Sequence, residues 1–179
     1  MVSIDIRNTI DTDLNDILHI NRAAFGQDEE AYLVADLLVD DSAKPLLSLL
    51  ALDGGKAVGH ILFTTIKLGD DGPPAAILAP MAVLPGQQKH GIGGRLIRAG
   101  LEQLKASGVE LVFVLGWPGY YPRHGFRPAG ERGFDAPYPI ADENAEAWMV
   151  LELKPGTIGD TQGKITCANS LNRPELWVE

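Results

Sequence analysis

The run Gln88-Lys89-His90-Gly91-Ile92-Gly93-Gly94 joins glycines to a lysine between an apolar stretch, residues 76–83, and a helical pattern. A glycine-rich turn from strand to helix aims backbone N–H groups and the positive end of the helix dipole at one point, which suits a phosphate. Two commoner nucleotide loops do not fit. The Gly-x-x-x-x-Gly-Lys-[Ser/Thr] pattern is absent, and Gly-x-Gly-x-x-Gly would need a glycine where Leu96 stands. A plain tight turn is the other reading of the same glycines. A second chemically able stretch is Gly116-Trp117-Pro118-Gly119-Tyr120-Tyr121-Pro122-Arg123-His124-Gly125-Phe126. Pro118-Gly119 demands a turn, residues 120–124 suit a short helix, and Gly125 permits a positive-φ exit that sends Phe126 into the core.

These residues need elements to place them. Ile4 and Ile6 alternate with polar neighbours as in a half-buried strand. A first helix follows, capped by Asp11 or Thr12, with Leu14, Ile17, Leu18 and Phe25 on one face. Asp28-Glu29-Glu30 opens a second helix whose buried stripe is Leu33, Leu37 and Leu38. Residues 46–52 and 57–68 read as a hairpin closed by Asp53-Gly54-Gly55-Lys56, and residues 69–74 turn the chain into the strand before the glycine loop. Pro80 lacks a ladder N–H, so it predicts a bulge in that strand. Beyond the loop, Leu96, Ile97, Leu101 and Leu104 line a helix ended by Gly108. Residues 109–115 then form a strand parallel to 76–83, because strand, helix and strand make a crossover. A later strand spans residues 146–153. Residues 154–179 show no assignable element, and Leu171, Leu176 and Trp177 are their anchors.

The chain has 179 residues, 45% of them hydrophobic, enough for one well-buried core and too few for two ordinary domains. A net charge of -9 argues against a large nucleic-acid footprint, which requires a broad basic surface. Neither a membrane-length apolar run nor a secretory leader pattern appears, so no membrane partner and a cytoplasmic address are expected. Cys167, the single cysteine, has no companion for a disulfide or a zinc site.

Gln88-x-x-Gly91-x-Gly93, with its preceding strand and Leu84-Pro85-Gly86 turn, resembles the signature of the GCN5-related N-acetyltransferases (GNAT). Tyr121-x-x-x-Gly125-Phe126 resembles that family's Y-x-x-x-G-F motif. The chain is most similar to the small bacterial predicted acetyltransferases, through residues 59–63, 78–85 and 118–126. The resemblance runs from about Ile4 to Leu153. It implies an α/β (α+β) GNAT fold, with a mixed sheet of about six to seven strands splayed between the fourth and fifth and about four flanking helices. It implies a GNAT domain over residues 1–153, with 154–179 an extension packed on or extending it. Acetyl-CoA would be the cosubstrate, with no metal. Its pyrophosphate would lie on Gln88, Lys89, His90, Gly91, Ile92, Gly93 and Gly94, and its pantetheine against Met81, Ala82 and Val83. Tyr121 would stand beside the thioester sulfur as general acid. Gln88 departs from the arginine common at that place, and Trp117 from a small or polar residue.

Acetyl transfer needs a neutral amine, and with a pKa near 10.4 only about one lysine-like amine in a few thousand is neutral at pH 7. His60, Glu29 and Glu30 are candidate bases, although a strand histidine also serves as a satisfied core residue and first-turn acids also serve the helix dipole. A backbone N–H of Ala82 or Val83 would meet the oxyanion. The expected activity is acetyl transfer to a primary amine, on a small molecule or a protein; a catalytically silent acyl-CoA sensor or regulatory domain is the alternative. An exposed Trp177 near the chain end could mediate a homodimer.

Overall fold

A computed structural model describes residues 3–178. Strand β1 (Ile4–Asn8) leads into a 3-10 turn and two helices, α1 (Leu14–Phe25) and α2 (Glu29–Leu38). Strands β2 (Leu47–Asp53), β3 (Lys56–Leu68) and β4 (Ala75–Val83) form the meander, and α3 (Ile92–Ala106) crosses over to β5 (Leu111–Leu115). The remaining elements are β6 (Arg127–Pro128), β7 (Phe134–Asp135), β8 (Trp148–Glu152), a one-turn α4 (Thr157–Asp160) and β9 (Gly163–Thr166). The main sheet has the order β1-β2-β3-β4-β5-β8-β6, so its path holds seven strands, and β7 and β9 add a small flap beside β3. Only β4 and β5 run parallel along that path, as the crossover requires.

Helices cover both faces. On one face the stripe Ile92, Leu96, Ile97 and Leu104 of α3 packs with Ile61, Phe63 and Val114. On the other, α1 and α2 contribute Ile17, Ile20, Val34 and Leu37 against Leu50, Leu62 and Ile77. Because β3 is sandwiched between these layers, its interior is buried continuously and does not alternate.

Several boundaries differ from expectation for identifiable reasons. Neither Asp11 nor Thr12 caps α1; Asp13 does the local polar work, accepting from Arg7 at 2.7 and 2.9 Å and from the Ile10 N–H at 2.8 Å. The buried face of α1 is Ile17, Ile20 and Asn21, while Leu14 and Phe25 are 40% and 42% exposed. The final long strand starts only at Trp148 because residues 142–147 coil into a 3-10 helix.

Residues 163–177 are an ordered part of the core. β9 pairs antiparallel with β3 and parallel with β7. Trp177, expected as an exposed dimer contact, is 2% exposed; its indole N–H donates to the Leu171 carbonyl at 2.9 Å and its ring meets Trp148 edge-on at 5.7 Å. Trp148 in turn stacks on Phe113 at 5.2 Å. The Asp40 carboxylate after α2 accepts from the Ser170 N–H and hydroxyl at 2.9 and 2.8 Å, which ties this segment down at its middle.

Candidate active site

The β4/β5 ladder stops at Leu78 opposite Val114. Two residues later in β4, the register against β3 jumps from Phe63/Leu78 to Ile61/Met81, so one residue is extra at Ala79-Pro80. This is the bulge that Pro80 predicts, and from there β4 and β5 part. The Leu84 N–H donates to the Val58 carbonyl at 2.9 Å. Antiparallel alternation then makes His60/Ala82 a hydrogen-bonded pair and turns the backbone N–H and C=O of Met81 and Val83 the other way, into the opening. Of the two expected oxyanion donors, Val83 therefore faces the opening and Ala82 faces His60.

Below the opening the glycine loop meets α3. Gly91 is the N-cap residue at φ +80°, and no side chain caps the helix, so its first-turn N–H groups keep their donor capacity. Gly91 accepts from the Arg95 N–H at 3.1 Å, and the Gln88 amide donates to the Val83 carbonyl at 3.0 Å, fastening the loop to the end of β4. A cavity of about 570 Å³ follows this edge, lined by Met81, Ala82, Val83, Gln88, Lys89, Gly91, Ile92, Gly93 and Gly94, with Arg123 opposite. Ile92 is 1% exposed with its side chain in the core, so only its backbone can serve a ligand there. His90 is exposed and lies outside the lining, whereas Arg123 belongs to it.

A second cavity, of about 440 Å³, continues past Met81 between the parted strands, bounded by Ile77 to Met81 on one side and Val114 to Gly116 on the other. Phe25, Met81 and Tyr120 border both cavities, so the two meet there. Helices α1 and α2 supply Phe25, Glu30 and Leu33 to the second cavity; the loop supplies Trp117, Tyr120 and Tyr121. Its far wall is Leu171, Leu176 and Trp177. Tyr121 begins a 3-10 turn that exits through Gly125 at φ +98°. Its ring lies against Gly116, where an added β-carbon would stand 2.5 Å from Tyr121 Cε2, and meets Phe126 edge-on at 5.7 Å. Burial raises the pKa of Tyr120 above the usual phenol range, so its phenol keeps its proton near neutrality.

Residues 14–126 match the Acetyltransferase (GNAT) family. This chain belongs to that family. It is 53% identical over 163 residues to the uncharacterized N-acetyltransferase YjhQ of Escherichia coli K12, spanning 88% of each chain. Among solved structures, it is similar to the E. coli GNAT protein YhbS in complex with CoA, with 28% identity, a TM-score of 0.87 and coverage of 97% of this chain and 94% of that one. A GNAT acetyltransferase from Brucella melitensis in complex with acetyl-CoA is 30% identical, with a TM-score of 0.75 and coverage of 94% and 98%. The fold is thus the GNAT fold, and the parting of β4 from β5 is its splay.

The structure gathers most of the expected GNAT site residues along the two cavities and leaves His60, His90 and Glu29 outside them. His60 is 0% exposed, its Nε2 lies 2.8 Å from the Ser48 hydroxyl, and burial lowers its pKa to about 4. It lines neither cavity. Glu30 reaches the second cavity and Glu29 does not. Sequence reading missed Phe25 and the wall at 171–177; only the apolar types of Leu171, Leu176 and Trp177 in a polar tail hinted at the latter. Among the described residues, no group of three or more His, Cys, Asp or Glu could hold a metal, and no helix is long and apolar enough to cross a membrane.

Proposed function

We propose that this GNAT protein transfers an acetyl group from acetyl-CoA to a primary amine by direct attack on the thioester. The observation that carries this is the junction of the two cavities. An uncapped 15-residue helix, Lys89 and Arg123 lie at one end, the parted edge of β4 at the middle and the Tyr121 phenol at the other. This order fits a long molecule with a phosphate at one end and a reactive group at the other; the GNAT relatives solved with CoA and acetyl-CoA support the identity of that molecule.

When bound, acetyl-CoA supplies an activated carbonyl and a thiolate leaving group. The first-turn N–H groups of Ile92, Gly93 and Gly94 hold phosphate oxygens with the helix dipole behind them. Lys89 adds a screened charge. The backbone of Met81 and Val83 pairs with the amide arm, and a cleft-facing N–H steadies the oxyanion as the amine adds. The Tyr121 hydroxyl gives its proton to the departing sulfur and regains one from solvent, a transfer suited to a phenol near pKa 10 and a thiol near 8.5. Since His60 is enclosed, the amine loses its proton to water on the Glu30 side of the chamber.

Calorimetry with CoA, followed by thiol release from acetyl-CoA over a panel of amines, tests the reading. Binding with amine-dependent thiol release supports it. Binding without release from any amine would mark an acyl-CoA sensor instead.

A further inference from the structure

We infer that the acceptor is a small primary amine with one positive charge on an apolar, ring-sized body, its ammonium met by Glu30 and its body by Leu171, Leu176 and Trp177. This inference rests on the acetyl-transfer reading above and narrows it.

Among the described residues, the chamber on the acceptor side is lined by one carboxylate, and the rest are apolar, aromatic or phenolic. No described lysine or arginine lines it. Such a surface discriminates. A polyamine would press its second and third ammonium groups against Leu171 and Leu176, where no carboxylate among the described residues compensates them, and uncompensated charge is disfavoured in an apolar site. The carboxylate of a free amino acid would find no cation. The net charge of -9 draws polycations from a distance, but screening confines that pull to encounter, and contact decides selection. A single ammonium fares better, with Glu30 for its charge and the aromatic side chains of Phe25 and Trp117 in the same lining. The volume of about 440 Å³ also includes the space beside the thioester, which leaves room for a ring-sized body and little more.

Thiol release from acetyl-CoA would be measured with 2-phenylethylamine, spermidine, free lysine and a lysine-bearing peptide. The expected kcat/KM for 2-phenylethylamine exceeds each of the others by about tenfold or more. Glu30→Gln should raise its KM by about tenfold while leaving CoA affinity unchanged. Leu176→Glu should shift preference toward spermidine, and the milder Leu176→Ala should weaken 2-phenylethylamine without that shift. Quenching of tryptophan fluorescence by 2-phenylethylamine in the CoA-loaded protein gives a readout independent of turnover, and it should diminish in both Leu176 variants. Robust release in which wild type prefers spermidine or the peptide would overturn the inference and leave acetyl transfer standing. If a CoA-binding protein releases thiol with no amine, acetyl transfer falls and this inference falls with it.

Discussion

Tyr120 and Gly93 face each other so closely that the phenol oxygen occupies the room a side chain on Gly93 would need: a β-carbon there would lie 2.8 Å from Tyr120 Oη. Met81 closes the same spot, with its methyl carbon 3.1 Å from that position. The loop, the start of α3 and the free edge of β4 therefore form one packed surface around the junction of the cavities.

Gly93→Val should consequently weaken CoA by about 1–3 kcal/mol or more, through lost N–H access and displacement of Tyr120. Combining it with Tyr120→Ala separates the two causes. If calorimetry shows full recovery of affinity in the double variant, the loss came from Tyr120 and the phosphate cradle is not at Gly93.

Tyr121→Phe removes one hydroxyl and keeps the packing on Gly116 and Phe126. Turnover should fall by about ten- to a thousandfold with CoA affinity nearly unchanged, because the lost interaction belongs to the transition state. Tyr120→Phe is the matched control. Wild-type turnover in Tyr121→Phe, with chemistry rate-limiting, would move the proton's source to water.

Asp40 sets a pH window for the acceptor wall. Hydrogen bonds from the Ser42 hydroxyl first, and from Ser170, hold its pKa down at about 2. A carboxylate depressed in the folded state stabilises above its unfolded value near 3.9, and that contribution is lost as pH falls toward 2. Asp40→Ala should lower Tm at pH 7, and the gap to wild type should close between about pH 4 and 2. Amide exchange at residues 169–171 should quicken in the variant, and the acceptor KM should rise more than the Kd for CoA.

His60 predicts a loss in the same direction, at a higher pH. Burial lowers its pKa to about 4, so below about 6.5 the unfolded chain binds a proton that the folded protein refuses. Stability should fall from pH 6.5 to 4, and His60→Gln should flatten that slope in urea titrations at pH 7 and 5. The pH profile of kcat should keep its shape in the same variant. A lost limb near neutrality would restore His60 as a base.

Both diagnostic loops were legible because each is written in a few adjacent residues: Gln88 to Gly94 contains its own turn and helix start, and Tyr121 to Phe126 its own exit. Pro80 was legible for the same reason, since a missing N–H disturbs a strand wherever it falls. The wall at 171–177 was not. Its anchors are separated by polar turns, and they gain meaning only from Trp148 and Asp40, which lie far away in the chain. Burial of His60 likewise depends on how α1 and α2 seat on one face of β3, and Phe25 counts as a helix-face residue until the end of α1 is seen to overhang both cavities.

The wall formed by Leu171, Leu176 and Trp177 has an evolutionary consequence. Every proposed grip on the cofactor comes from residues between Met81 and Arg123, whereas one wall of the acceptor chamber is encoded in a separate stretch, residues 171–177. Drift, recombination or exchange in that stretch can retune which amine is accepted while inheritance of the thioester machinery stays intact.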